Sequence, residues 1–283
     1  MSVRIIVDST ADVTPEVKSR LLTVPLTVHF GEKEYIDGVT IDHKQFYEKL
    51  VECETLPSTS QATPSSFARV YREVTEAGDT AVVLTLSSKL SGTYQSAVIA
   101  AEEYPEIYVV DSLSVAIGTG ILAELALGLA DSGLCAAAIY DCLIEERENI
   151  RVIALLDTLE YLKRGGRISK TVAFAGGLLS IKPVVCLDDG EVQMLGKARG
   201  SKQGNNLLVT EIEKAGGVDF DKPLLLGYTG LTDVLLQKYI EDSAALWQNG
   251  TETLRTTVIG SVIGTHAGPG AVAAAFFSRG DRQ

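Results

Sequence analysis

The feature that most constrains the fold of this chain is the alternation of short apolar runs with longer helical segments over its first 130 residues. Three runs nearly continuous in Val, Ile and Leu are typical of strands buried on both faces: residues 3–7, 80–86 and 107–110. Segments with helical periodicity lie between and after them: residues 42–53, 65–75, 92–104 and 114–129. This alternation predicts an α/β fold in which helices flank a parallel sheet.

The pattern changes after Ile150. An Asp-Asp-Gly turn at residues 188–190 separates strand-like runs at 183–187 and 192–195, which predicts a hairpin and antiparallel pairing. The remaining segments predict strands at 152–156, 223–228 and 256–259 and helices at 202–214 and 232–247. We therefore predict two α/β domains, residues 1–150 with the parallel sheet and residues 151–283 with a mixed sheet. A last apolar helix is predicted at residues 271–277, and the sequence leaves open which domain it packs against.

The composition narrows the classes of partner. Hydrophobic residues make up 46% of the 283 residues, enough for substantial buried cores. Asp and Glu outnumber Lys and Arg by 37 to 25, and the resulting charge of −12 repels nucleic-acid phosphates and anionic lipid surfaces. We therefore predict no nucleic-acid partner.

Several short features bear on compartment and cofactors. The first apolar run is too short for a signal peptide and soon reaches Asp8, which predicts a cytoplasmic protein. The four cysteines form no Cys-x-x-Cys pair and the chain has only three histidines, so we predict reduced thiols, no metal site and no cofactor. The most apolar stretch, residues 115–130, is shorter than the ~20 residues of a membrane span. It predicts a buried helix and no stable membrane insertion.

Residues 86–96, Leu-Ser-Ser-Lys-Leu-Ser-Gly-Thr-Tyr-Gln-Ser, follow a predicted strand and open a predicted helix. The unpaired N–H groups at Ser91, Gly92 and Thr93 would lie at the positive end of the helix dipole, where an oxyanion binds favourably. The alternative is that Ser91 merely caps the helix. The density of hydroxyl groups exceeds what a cap requires.

Three more segments carry candidate anion ligands. Thr59 or Ser60, in a predicted extended loop at residues 57–61, could converge with Ser91 on one bound group. His266 and its neighbour Thr265 lie in a glycine-rich segment, where an imidazole can donate to a carboxylate. Arg167 follows a Gly-Gly break and offers a fixed positive charge. Lys163 and Arg164 are interpreted as ordinary basic residues at a helix end.

Enzymatic alternatives find less support. Ser91 and His266 could form a pair for acyl transfer or hydrolysis, but the chain has no Gly-x-Ser-x-Gly elbow. It also lacks both the dinucleotide-binding and the phosphate-loop glycine motifs after its first strand and elsewhere. A lipid-responsive regulatory protein is a third possibility.

Taken in order along the chain, these motifs resemble the DegV family of fatty-acid-binding proteins over essentially the whole sequence. The resemblance rests on six segments: residues 7–10, 57–61, 86–96, 110–112, 159–168 and 264–270. It implies two α/β domains with a long-chain fatty acid between them and its carboxylate at their junction. It also implies a binding subunit, not itself an enzyme, that presents the carboxylate to a separate ATP-using fatty acid kinase for acyl phosphate formation.

On this resemblance, Thr59 and Ser91 hold the carboxylate, His266 and Arg167 surround it, and Ser60, Gly92, Thr93 and Thr265 support the site. The family's second segment often reads Thr-Ser-Gln-Pro, whereas this chain has Ala62 and delays the proline to residue 64, so the choice between Thr59 and Ser60 stays open. The apolar segments at residues 115–130 and 171–181 are expected to line a tunnel. Each buried methylene contributes roughly 0.8 kcal/mol, so the acyl chain supplies most of the affinity.

Overall fold

The fold is built from three β-sheets that the helices cover and separate. The structure, a computed structural model, describes residues 2–168, 181–248 and 254–280. The strands are β1 (Val3–Asp8), β2 (Leu22–Val24), β3 (Thr27–Phe30), β4 (Lys33–Ile36), β5 (Ser58–Ser60), β6 (Thr80–Thr85), β7 (Ile107–Asp111), β8 (Ile150–Leu155), β9 (Ile181–Asp188), β10 (Glu191–Arg199), β11 (Leu225–Tyr228), β12 (Thr256–Val258) and β13 (Val272–Phe277). The helices are α1 (Pro15–Lys18), α2 (His43–Glu52), α3 (Pro64–Glu76), α4 (Thr93–Ala101), α5 (Ile117–Asp131), α6 (Ala136–Glu146), α7 (Glu160–Arg164), α8 (Gly200–Lys214), α9 (Val234–Asp242), α10 (Ala244–Trp247) and α11 (Ser261–Ala267).

The first sheet confirms the predicted parallel arrangement. Its strand order is β2-β1-β6-β7, and all three pairings are parallel. Alternate residues of its strands belong to different cores: Ile6 and Val83 pack with the α3–α4 side, while Ile5 and Val82 pack with α5 and α6. Burial on both faces explains why these strands read as continuous apolar runs.

The second sheet is mixed, as predicted. Its order is β10-β9-β8-β13-β11-β12; β11 and β12 are parallel and the other neighbours are antiparallel. The predicted hairpin joins β9 to β10, with Asp189 at φ 47° and Gly190 at φ 76°, the left-handed conformations that a two-residue turn requires. Helices α8 and α9 cover one face, and α5 packs on the other while also contacting β1 and β6 of the first sheet.

The prediction of a helix at residues 271–277 is wrong. This segment forms β13, which pairs with β8 on one side and β11 on the other, and all six of its residues are buried. A short apolar run has no period that separates a buried helix from a central strand, but seven residues between glycine-rich turns suit a strand better. The run therefore belongs to the middle of the mixed sheet.

Two further expectations need correction. The extended loop at residues 57–61 contains β5, which completes a small antiparallel sheet of order β4-β3-β5. Its polar Ser-Thr-Ser sequence has no apolar alternation, so it gives no strand signal. The helix expected at residues 232–247 is split into α9 and α10 at Ser243, whose hydroxyl accepts a hydrogen bond from Trp247 Nε1 at 2.9 Å.

The apolar stretch at residues 115–130 forms the buried helix that was predicted. Helix α5 lies between the two large sheets, with most of its residues buried. Among the described helices, none has the length and apolar character that a membrane crossing requires. Residues 171–180 of the other expected tunnel segment lie outside the described residues, and the division into domains at residue 150 stays a prediction.

Candidate functional site

A cavity of about 400 Å³ lies between the carboxyl ends of the first sheet and the inner face of the mixed sheet. The cavity is lined by the loops after β6 and β7, by strands β8, β9, β10 and β13, and by helix α11. Most of its wall is apolar, formed by Leu26, Leu86, Leu90, Val115, Ala116, Ile117, Val152, Ala154, Leu156, Leu162, Val185, Cys186, Leu187, Val192, Ile259, Val262, Ile263, Ala267, Ala271 and Ala273. A volume in this range is typical of small-molecule sites.

Small side chains in the mixed sheet help to keep this space open. Ala273 of β13 pairs with Ala154 of β8 on one side and with Gly227 of β11 on the other. Central strands usually carry larger β-branched or aromatic residues that fill the space above the sheet. The short side chains of Ala154 and Ala273, which both line the cavity, leave that space unfilled.

Polar residues are concentrated on part of the wall. Thr59, Ser91, Arg167 and His266, which the sequence analysis selected from four distant segments, all line the same cavity. The lining also includes Ser60 and Gly92 from the predicted supporting set, together with Gln61. Parallel strands deliver their following loops to one edge of a sheet, and this edge is where α/β proteins place ligands.

Thr93 and Thr265 are not part of the cavity lining. The Thr265 hydroxyl donates to the Ser261 carbonyl one turn earlier in α11, at 2.9 Å. Thr93 is fully buried, and its hydroxyl pairs with that of Ser91 at 2.9 Å. Thr93 therefore acts on the cavity only through Ser91, and Thr265 stabilises its own helix.

His266 lies in the last turn of α11, and its Nε2 is 3.0 Å from the Thr59 hydroxyl. Burial, with a smaller effect of the Arg167 charge, lowers the pKa of His266 from 6.5 to about 4. The imidazole is therefore neutral at pH 7. Its Nδ1 is buried without a hydrogen-bond partner and lies against Gly165, at a position where a Cβ on that glycine would collide with it.

The Thr59–His266 hydrogen bond shows which side chain of β5 faces the polar cluster. Thr59 pairs with Val28 in the small sheet, and Ser60 pairs with Thr27, so the two side chains point to opposite faces. Thr59 reaches His266, whereas the Ser60 hydroxyl lies 2.7 Å from His29 Nε2. Thr59 is thus the residue of this strand whose hydroxyl joins the polar cluster.

Ser91 both caps the start of α4 and faces the cavity. Its hydroxyl accepts a hydrogen bond from the Thr93 N–H at 3.2 Å, which satisfies one donor at the start of α4. It also lines the cavity. The hydrogen-bond partner of His266 Nε2 is Thr59 and not Ser91, so the Ser91–His266 pair of the enzymatic alternative is not formed.

Arg167 connects two loops around the cavity. Its Nε donates to the Leu90 carbonyl at 3.2 Å, and its Nη1 donates to the Gly165 carbonyl at 2.6 Å. The guanidinium has five N–H donors, so these bonds leave others for a ligand. Arg164, by contrast, is exposed and pairs with Glu160 on α7, as expected for a basic residue at a helix end.

Gln61 lines the cavity but was not predicted as a site residue. Its Nε2 donates to the Ser96 hydroxyl at 3.0 Å, and its side chain occupies the place that a Cβ on Gly92 would take. The close approach explains why glycine stands at residue 92. No residue pattern marks such a contact in advance, because it joins β5 to the start of α4 across the fold.

The residues around the cavity suit an organic ligand and not a metal ion. Within the described ranges, no group of His, Cys, Asp or Glu side chains is placed to hold a metal ion. The cavity instead joins a long apolar wall to two hydroxyls, a neutral imidazole and a guanidinium. These groups suit a ligand with one anionic end and an apolar body.

An α/β protein with a parallel sheet, a mixed sheet and an apolar cavity between them is the class that this fold and site define. A family model described as "Uncharacterised protein, DegV family" matches residues 2–279. A DegV domain-containing protein of Caldanaerobacter subterraneus subsp. tengcongensis is 34% identical over 281 residues, which cover 97% of this chain and 98% of the relative. The chain belongs to the DegV family.

Solved structures give the same fold. A DegV family protein from Thermus thermophilus, described by its fatty acid binding, superposes with a TM-score of 0.87 at 32% identity and covers 98% of this chain and 100% of its own. A stearic acid-binding protein from Eubacterium ventriosum gives a TM-score of 0.86 at 27% identity, with 98% of each chain covered. Bacillus subtilis DegV, described as a fatty acid binding protein, gives 0.83 at 28%, covering 98% and 100%.

Proposed function

We propose that this chain binds a long-chain fatty acid in the 400 Å³ cavity, with the carboxylate at Thr59 and Ser91 and the acyl chain along the apolar wall. The observation that carries the proposal is the joining of four polar side chains from distant segments to one largely apolar cavity. Solved relatives of the same fold, from Thermus thermophilus and Eubacterium ventriosum, are described as fatty-acid-binding proteins.

The charges of the polar cluster support an anionic ligand. Because His266 is neutral at pH 7, Arg167 supplies the positive charge at this end of the cavity. A buried carboxylate is costly unless several donors meet it. We assign the Nε2–H tautomer to His266, so that the imidazole donates to Thr59 and the Thr59 hydroxyl donates to the carboxylate. The Ser91 hydroxyl and the guanidinium complete the set of donors.

The apolar wall provides most of the binding free energy. Each methylene that leaves water contributes roughly 0.8 kcal/mol, and part of the total offsets the ordering of the acyl chain. The polar end then sets the orientation, with the carboxylate beside the loops that follow β5 and β6. A ligand held in this way presents its carboxylate at one defined place.

We further propose that a separate kinase transfers the γ-phosphoryl group of ATP to an oxygen of this carboxylate, which forms an acyl phosphate and releases ADP. The sequence contains no Gly-x-x-x-x-Gly-Lys-Ser/Thr phosphate loop, and the proposal assigns ATP binding to the partner. The chain is then the binding subunit and not the enzyme. Use of ATP by the partner places this function in the cytoplasm.

Extraction of the purified protein tests the binding proposal directly. Denaturation followed by mass spectrometry is expected to release long-chain fatty acid acquired from the expression host. Repeated absence of lipid from protein with an intact fold, combined with no binding of added fatty acid, would refute the proposal.

Two cysteines provide an internal comparison. Cys186 lines the cavity, whereas Cys135 is exposed at the start of α6 and is not part of the lining. Delipidated protein is expected to alkylate more slowly at Cys186 when oleate is added, with no change at Cys135. Equal rates at Cys186 with and without oleate would place the acyl chain elsewhere.

An activated-ester reporter separates the carrier from the enzymatic alternative. A carrier is expected to show neither turnover nor acylation. Stoichiometric acylation of Ser91 would instead favour the acyl-transfer enzyme and remove the carrier function.

A further inference from the structure

A second cavity, of about 290 Å³, lies at the carboxyl end of β1 and shares no lining residue with the 400 Å³ cavity, which is called the lipid cavity below. Its polar lining comes from Ser9 and Asp12 after β1, Lys18 of α1, Asp37 after β4 and His43 at the start of α2. Strand β12 of the mixed sheet closes another side. The cavity therefore lies where both halves of the chain meet.

Two carboxylates in this cavity carry oxygens without partners. Asp12 is 5% exposed and Asp37 is 3% exposed, yet Asp12 Oδ2 and Asp37 Oδ1 have no hydrogen-bond partner. Asp8, on the same strand end, is different: it accepts from the Thr10 N–H, the Thr10 hydroxyl and the Leu86 N–H at 2.8, 2.6 and 2.7 Å. Buried carboxylate oxygens are nearly always satisfied, so the free oxygens of Asp12 and Asp37 point to a missing donor.

The geometry around Asp12 is fixed. Its Oδ1 accepts from the Gly260 N–H at 2.9 Å, which directs the carboxylate. A Cβ on Gly260 would stand 3.0 Å from Asp12 Oδ1 and 3.3 Å from His43 Nε2. Glycine at residue 260 thus lets the backbone approach both groups, and the second oxygen of Asp12 is held in place by the fold.

The missing donor is cationic in character. Lys18, exposed on α1, is the basic side chain of the cavity, because burial lowers the pKa of His43 and keeps its imidazole neutral at pH 7. Two carboxylates therefore share the cavity with one ammonium group. Charge-assisted hydrogen bonds from a ligand nitrogen would satisfy both free oxygens at once.

We propose that this cavity binds a small organic cation, whose ammonium or guanidinium group donates to Asp12 Oδ2 and Asp37 Oδ1. The described residues offer no metal-binding group of three ligands here, which argues against a metal ion. The remaining walls are largely apolar, with Val7, Val13 and Leu21 among them, and suit a short hydrocarbon attached to the nitrogen. The proposal is independent of fatty acid binding.

Binding of such a cation displaces protons. Burial raises the pKa of Asp12 and Asp37, and their mutual repulsion raises that of Asp12 further. Asp8 adds to the repulsion at Asp12, whereas the Ser9 and Ser261 hydroxyls, and to a smaller extent His43 and Lys18, lower the pKa of Asp37. A positive nitrogen favours the ionised carboxyls, so we expect proton release on binding and tighter binding at higher pH.

Titration calorimetry with the unaltered protein tests the proposal. The probes are n-butylamine, which carries one ammonium group, and agmatine, which carries a guanidinium and an ammonium group; n-butanol is the neutral control. We expect binding of at least one cation, no binding of butanol, and a heat that varies with the ionisation enthalpy of the buffer. No binding of either cation, or equal binding of butanol, would overturn the proposal.

Variants locate the site. Asp12→Asn and Asp37→Asn, made separately, are each expected to weaken cation binding at least tenfold, while Ser91→Ala in the lipid cavity leaves it unchanged. Because proton release is measured on the unaltered chain, a variant that fails to fold does not leave the question open. Cation binding that survives in both folded Asn variants would place the site elsewhere and contradict the proposal.

Discussion

At the scale of single residues, the polar cluster depends on a few short contacts. Ser91 both stabilises the first turn of α4 and faces the cavity, and Thr59 joins β5 to His266 of α11. The Thr59–His266 contact ties β5 to α11 at the place proposed for the carboxylate. Changes to either hydroxyl should therefore affect the ligand more than the fold.

Ser91→Ala is expected to weaken fatty acid binding by about tenfold to a hundredfold, because a hydrogen bond to a charged group contributes roughly 1.5–3 kcal/mol. Phosphorylation of the bound lipid by the proposed partner kinase should fall as well. Ser88→Ala is the matched control, since Ser88 lies in the same loop but is exposed and outside the cavity lining. Unchanged affinity in a fluorescent fatty acid displacement assay would remove Ser91 from the site.

His266 makes the stability of the unliganded protein depend on pH. Its pKa is about 4 in the folded chain and 6.5 when unfolded, so the unfolded state binds more protons as the pH falls from 6.5 towards 4. The protein therefore loses stability in this window, by about 3 kcal/mol at pH 4. Asp8 acts oppositely, because burial raises its folded pKa to about 6.

His266→Gln isolates this contribution from that of Asp8. The free energy of unfolding, measured with urea at pH 7 and pH 4, should fall less in the variant than in the wild type. An equal fall in both proteins would mean that the imidazole is not buried in its neutral form.

Much of the site was predictable from residue types, and the remainder was not. Serine, threonine, histidine and arginine near glycine-rich turns indicate anion binding, and Thr59, Ser91, Arg167 and His266 do converge on one cavity. Thr265 has the same residue character but donates within its own helix. The rotation of α11 about its axis decides whether Thr265 faces the cavity. A short segment without clear periodicity does not reveal that rotation.

At the scale of elements, the hairpin β9–β10 forms one wall of the 400 Å³ cavity through Val185, Leu187 and Val192. Its turn docks on the loop after β6, where the Ser87 hydroxyl donates to the Gly190 carbonyl at 2.8 Å. This contact joins the two large sheets across the cavity. The hairpin is therefore the element whose attachment should influence how the lipid exchanges.

Ser87→Ala leaves the Gly190 carbonyl without its donor, which costs about 1–3 kcal/mol when the group stays buried. We expect faster hydrogen exchange in the hairpin amides and faster release of bound fatty acid. Ser88→Ala again serves as the control in the same loop. Identical exchange rates in the wild type and the Ser87 variant would show that the turn is held by other contacts.

The elements that the sequence predicted correctly are those with a strong period or a specific turn. The strands β1, β6 and β7, the helix α5 and the Asp-Asp-Gly hairpin all belong to this group. The strand β13 was mistaken for a helix because a short apolar run has no distinguishing period. Strand β5 was missed because pairing with β3, and not its own polar sequence, makes it a strand.

At the scale of the whole molecule, the cavity arises from how the two large sheets and α5 meet. No single segment encodes that space. Ala154 and Ala273 are unremarkable alanines in the sequence, and only the register β8–β13–β11 brings them together with Gly227. The cavity is a property of the assembled sheets, and larger side chains that fill it test this conclusion.

Ala273→Leu and Ala275→Leu form a matched pair on the same face of β13. Both alanines belong to the core packed around α5, but only Ala273 also lines the cavity. A leucine at residue 273 grows into empty space, so the folded state should keep its stability while long-chain fatty acid binding is lost or shifts to shorter chains. A leucine at residue 275 has no such space, and overpacking should cost about 1–3 kcal/mol. Urea unfolding and binding of fatty acids of graded length measure both effects, and equal destabilisation by the two leucines would mean that the sheets close over the cavity when no lipid fills it.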